Sequence, residues 1–188
     1  SAKFQNLEVR HASVVGGRHV GGLLSSRHKD SFSTITNIPP ALFRNVHMVG
    51  VNVEATISHD ELLKRDSATP MAAGIFSHGR AATFRNVSFS GSVKAPGGYV
   101  GAFAGWTQTT AGSDLKIQDS RLSCSAKSVC MVGGVSGTGV GLIKNLEITN
   151  SLFRSTQTGG HNGHASEAAT GGVIGGMGYA AQTSGTFE

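Results

Sequence analysis

Cys124 and Cys130 are the only two cysteines of the 188-residue chain, so any thiol chemistry rests on them. In Cys-Ser-Ala-Lys-Ser-Val-Cys a fully extended link would hold them far beyond the ~5.5 Å Cα separation of a disulfide. A turn at Ala126-Lys127-Ser128 brings them within reach, and in an exported protein the bridge is the expected state. The competing reading is a pair of small buried residues in a sheet wall. Their spacing fits no usual zinc pattern, and no further cysteine can serve as a ligand.

Eight histidines invite a metal hypothesis. His161 and His164 flank Asn162-Gly163 in a glycine-rich stretch, and His11, His19 and His28 lie near the start of the chain. Neither set has the helical i, i+4 spacing and attached glutamate of a metalloprotease, so these side chains read as solvated and no metal or other cofactor is expected. Acids are sparse. Glycoside cleavage needs a pair of carboxylates across one groove, yet Glu8 and Glu147 share an aligned position only in the first and last repeats. Gly133-Gly134 to Gly141 is glycine-rich but is followed by no Lys-Ser/Thr and opens no helix, which excludes a phosphate-binding loop. Asn86-Val87-Ser88 matches a glycosylation acceptor, but equivalent asparagines elsewhere lack the hydroxyl residue, so a structural role explains them better. No ice-binding face is expected, because the threonines form no regular columns. No catalytic residue is assigned, and the chain is expected not to be an enzyme.

The elements that would position these residues come from two signatures, each repeated five times. The first pairs an apolar or aromatic residue with an asparagine or aspartate two places later, starting at Phe4, Phe43, Phe84, Ile117 and Ile143. Its polar position holds Asn6, Asn45, Asn86, Asp119 and Asn145, and an apolar partner follows at Val9, Met48, Phe89, Leu122 and Ile148. This is the period-two pattern of strands with one buried face. The second is a glycine-punctuated apolar run, as in Tyr99-Val100-Gly101-Ala102-Phe103, whose last position is Leu23, Ile75, Phe103, Val135 or Val173. The two positions before it hold only Gly or Ala, so backbone must approach closely or turn sharply there.

A repeat of this length cannot bury its apolar side alone, whereas stacked repeats can. Both signatures therefore predict an all-β fold, a parallel β-solenoid of about five irregular coils, with the second apolar position forming an interior column. The Asn/Asp position would form a side-chain ladder of the kind seen when identical residues stack. A β-sandwich is the runner-up; it would show regular hairpin turns and no glycine column. Longer spacing in the second and fifth units marks insertions. Ser58 with Glu61, closed by Lys64-Arg65, predicts a short capped helix, and 158–168 reads as a loop.

At His19–Ser25, Tyr99–Gly105 and Met131–Gly137 the chain resembles the GLUG repeat, usually written around a V-G-G-L-V-G centre. Phe84 to Val93 fits the segment that precedes that centre in the family. The units depart from it where Ala73 and Ala102 replace a glycine and where Ser25 and Ser77 replace the last one. The resemblance implies a repetitive, non-catalytic scaffold in large secreted or surface-anchored microbial proteins, among them adhesin-like proteins and the non-catalytic part of immunoglobulin A peptidases. It transfers no catalytic residue.

Charge and hydropathy bound the partners. No stretch approaches the ~20 apolar residues of a membrane span, so no membrane insertion is expected. The net charge of +5 permits contact with acidic surfaces, but the basic residues are scattered along the chain, with Lys64-Arg65 the clearest pair, so nucleic acid is not expected. The chain reads as one repeat domain over 1–188, a fragment that opens inside one unit and closes soon after another. Its partners would be flanking repeats or other copies meeting at the solenoid ends, and a host protein or an anionic glycan at its surface. The expected role is an extracellular or cell-surface scaffold, such as an adhesin segment or filament component. The alternative is an accessory domain of a secreted enzyme acting on glycans or immunoglobulins.

Overall fold

The computed structural model describes residues 2–26, 39–58, 69–126, 129–139, 141–157, 168–176 and 186–187. These residues are all-β and contain no helix. The expected helix after Ser58 and the loop 158–168 lie almost wholly outside the described residues, as do His28, His161 and His164.

Three long strands are flanked and separated by shorter ones. β1 (Lys3–Arg10) and β2 (Ser13–Gly16) are followed by the short β3 (His19–Gly21) and β4 (Leu24–Ser26). β5 (Ala41–Ala55), β7 (Phe76–Ala95) and β9 (Ala104–Ala126) are the long central strands, separated by β6 (Met71–Ala73) and β8 (Gly98–Gly101). β10 (Cys130–Gly133), β11 (Ser136–Thr138), β12 (Leu142–Thr149), β13 (Leu152–Gln157), β14 (Ala168–Gly171), β15 (Ile174–Gly176) and β16 (Thr186–Phe187) complete the chain.

The strands form two sheets. One follows the order β1-β5-β7-β9-β11-β15, with β2, β4, β12, β13 and β16 joined beside that path; the other is the short-strand sheet β14-β10-β8-β6-β3. Every ladder among the described residues is parallel. A parallel pair needs a long connection between its strands, and here one whole repeat supplies it, so each residue pairs with its equivalent in the next unit. The hairpin-connected sandwich, which needs antiparallel pairs, is excluded for these residues.

The long strands bend because their alternation is interrupted at fixed places. In β5 the buried residues are Ala41 and Phe43, then Val46 and Met48, then Val51, Val53 and Ala55. Each one-residue slip falls at a left-handed residue, Asn45 (φ 51°) and Gly50 (φ 62°). β9 repeats the pattern with Gly112, then Leu115 and Ile117, then Ser120, Leu122 and Cys124 inside, and slips at Asp114 and Asp119. Asparagine, aspartate and glycine tolerate that backbone region far better than branched residues do. The corners thus explain why the polar signature recurs and why inward phase survives each bend.

Phenylalanines fill the centre. The rings of Phe4, Phe43 and Phe84 stack at centroid separations of 5.2 and 5.0 Å, and Phe103 closes on Phe84 at 5.6 Å. The next rung has Gly112 in place of a ring, and Leu115 occupies the space: a Cβ on Gly112 would lie 2.6 Å from Leu115 Cδ1.

Candidate functional site

Asn6, Asn45, Asn86 and Asn145 stand at one corner of successive units, all in the left-handed region. Asn45 Nδ2 donates to Asn6 Oδ1 at 2.8 Å, and Asn86 Nδ2 donates to Asn45 Oδ1 at 3.1 Å. Asn145 Nδ2 donates at 2.9 Å to Asp114 Oδ1. Asp119, expected in this column, is not in it. The register sets Arg85 against Ser113 and Val87 against Leu115, so Asp114 faces Asn86. Asp119 lies at the next corner, where it accepts from Asn150 Nδ2 at 2.6 Å.

The same shift moves the start of the fourth unit. Gly112, not Ile117, pairs with Phe84 and Ile143, and Ile117 rather than Leu122 stands between Phe89 and Ile148. The cause is physical: two corners five residues apart both select Asn or Asp, so Ile117-Gln118-Asp119 imitates the first corner while occupying the second. His11 sits at that second corner too (φ 50°).

The ladders pair the glycine-signature positions of successive units, Gly21 with Ala73, Ala73 with Gly101, Gly101 with Gly133 and Gly133 with Gly171. Ile75, Phe103 and Val135 are fully buried, and Leu23 and Val173 in the outer units are partly buried against the same core. Main-chain bonds link successive rungs at the column, with Leu23 N donating to Ile75 O, Phe103 N to Val135 O and Val135 N to Val173 O, while between Ile75 and Phe103 the donor is the next residue, Phe76 N to Phe103 O. Its preceding glycines mark tight approaches: a Cβ on Gly101 would lie 2.0 Å from Ala104 O, and one on Gly133 would lie 1.9 Å from Ser136 O. Ala73 occupies the equivalent place beside Gly101, and nothing in the structure explains why a methyl is accepted there.

Cys124 and Cys130 form a disulfide with a Cα separation of 5.6 Å. Both are buried, and the bridge ties the end of β9 to the start of β10. Among the described residues no group of three His, Cys, Asp or Glu is placed to hold a metal ion, and no helix is long and apolar enough to cross a membrane.

Outward-facing residues sort into three faces separated by the two corners. Beyond the second corner Glu54 pairs with Lys94 at 3.2 Å, and between the corners Glu8 meets Arg10 and Glu147 meets Lys116. Before the first corner the register aligns Gln5, Arg44, Arg85, Ser113 and Lys144 in one outward column. It carries cations and no acid. Reading basic residues along the chain missed this column; the signal was the residue before each corner asparagine, compared across units.

Compared with known proteins, the chain matches no family model, no curated protein and no solved structure.

Proposed function

We propose that this chain is a non-enzymatic scaffold segment of an extracellular or surface-borne protein, built as a parallel β-solenoid of about five irregular coils related to the GLUG repeat. The carrying observation is that its recurring residues are used on one another. The corner asparagines bond to corner asparagines, the phenylalanines stack on phenylalanines, and the interior column is tied rung to rung by main-chain bonds. Stacked units of this kind hold a surface at a fixed pitch, which suits an adhesin or a fibre. The buried Cys124–Cys130 bridge agrees with an oxidising, exported setting.

Val15 and Leu152, in the outer units, are 62% and 60% exposed. Both face outward, beside Glu54 and Arg121 in the ladder, so in this reading a second copy or another partner laid against the side of the stack covers them. A second reading, a binding segment of a secreted enzyme, is favoured by the one-sided cation column and keeps the same architecture.

The test is surface display with selective deletion. Antibodies to the segment should label intact producing cells, and its removal should weaken adhesion or assembly while any hydrolytic activity of the parent protein persists. Labelling only after permeabilisation would overturn the location. Loss of turnover on glycans or immunoglobulins would favour the accessory reading.

A further inference from the structure

We propose that the outward column Gln5–Arg44–Arg85–Ser113–Lys144 binds a linear anionic polysaccharide laid along the stacking direction. Neighbouring rungs of a sheet lie ~4.8 Å apart, so Arg44 and Arg85, direct partners in the ladder, hold two exposed guanidinium groups at one-rung spacing. Like charges directly opposite each other on adjacent strands are destabilising. No described carboxylate forms an ion pair with either arginine to relieve that repulsion. Each described glutamate is paired on another face; Asp114, at the corner next to Ser113, accepts from Asn145, so the anion contact centres on Arg44 and Arg85 at the other end of the column. Lys3, exposed one position nearer the start of its strand's outward face, adds a further cation.

The ligand chemistry follows from the pitch and from the flanking groups. Guanidinium forks match carboxylate and sulfate oxygens with two parallel hydrogen bonds. A sugar ring in an extended chain advances by a distance comparable with one rung, so successive anionic groups meet successive side chains. Ser113 and Gln5 within the column, and the exposed Asn86 amide beside it, offer partners for sugar hydroxyls. Single-stranded nucleic acid would need aromatic stacking platforms; the next outward column on this face is Lys3, Leu42, Thr83 and Ala111, which has none.

This inference rests on the scaffold reading for its setting, but it fails separately. The chain is tested at low salt against polygalacturonate, heparin, uncharged dextran and duplex DNA. Binding to one or both acidic glycans and not to dextran is expected, and the preferred one distinguishes carboxylate from sulfate. The double variant R44Q/R85Q should bind at least about tenfold more weakly, with a shallower salt dependence. R121Q/R154Q removes the same charge from another face and should stay within about twofold of wild type. Equal losses in both variants, tighter binding to DNA, or no acidic-glycan binding would each overturn the proposal. An unchanged melting transition in R44Q/R85Q separates loss of the site from loss of the fold, and none of these outcomes alters the surface-labelling result that tests the scaffold.

Discussion

Asn45 Nδ2 lies 2.8 Å from Asn6 Oδ1 although 39 residues separate the two along the chain. The contact exists because both asparagines turn the same corner of adjacent units, each at φ near 50°. Two roles are combined there, a backbone conformation and a side-chain rung, and substitutions separate them. Asn45→Gly keeps the conformation and loses the rungs to Asn6 and Asn86. Asn45→Ala loses both, and a methyl in the left-handed region costs about 1–2 kcal/mol. Denaturant unfolding should therefore rank alanine below glycine by about 1 kcal/mol or more. Equal losses would assign the corner to the amide ladder alone.

The interior column gives a graded expectation. Phe103 is fully buried at the centre, and its ring meets Phe84 at 5.6 Å, so Phe103→Ala should cost about 3–5 kcal/mol as a cavity substitution. Val173 is only partly buried in an outer unit. Its replacement by alanine should cost roughly 1 kcal/mol, because less apolar surface returns to water. A Phe103→Ala loss below about 1 kcal/mol in urea titration would show that the column is not the core.

The parallel all-β character was legible because a residue type that returns at the same place in five units must meet itself when the units stack. Leu23, Ile75, Phe103, Val135 and Val173 could be aligned from glycine spacing alone. The fourth unit could not. Its first corner is Asp114, its aromatic position is Gly112, and its second corner carries an aspartate that fits the same pattern, so local residue types favoured a five-residue slip. Only the space filled by Leu115 beneath Gly112 explains how the unit stays in register without a ring. The cation column was hidden for another reason. Arg44 and Arg85 are far apart in sequence, and their adjacency is a property of the ladder rather than of any local stretch.

The Cys124–Cys130 bridge closes a short loop, and loop-closure entropy grows only slowly with length, so its contribution should be modest. Replacing both cysteines with alanine should lower stability by roughly 2 kcal/mol. Mass spectrometry of non-reduced protein should show the linked peptide. Two free thiols in freshly exported material would contradict the bridge and remove its support for an oxidising compartment.

The stacked register itself can be trapped covalently. Ser92 Oγ donates to Asn52 Oδ1 at 2.7 Å, and the two residues are direct partners between β5 and β7 on the outward face. Cysteines at both positions should oxidise to a disulfide, since adjacent strands hold partnered residues at a separation such bonds accept. Cysteines at Asn52 and Arg121 stand two rungs apart in the same column, roughly 9–10 Å by strand spacing, and should stay reduced. The first link closes a loop of 40 residues, which predicts a gain of up to about 4 kcal/mol if the bond forms without strain. Non-reducing peptide mapping reads the pairing, and urea unfolding with and without reductant reads the gain. Efficient linkage of the two-rung pair, or failure of the one-rung pair in a folded variant, would mean that successive units do not lie in this register.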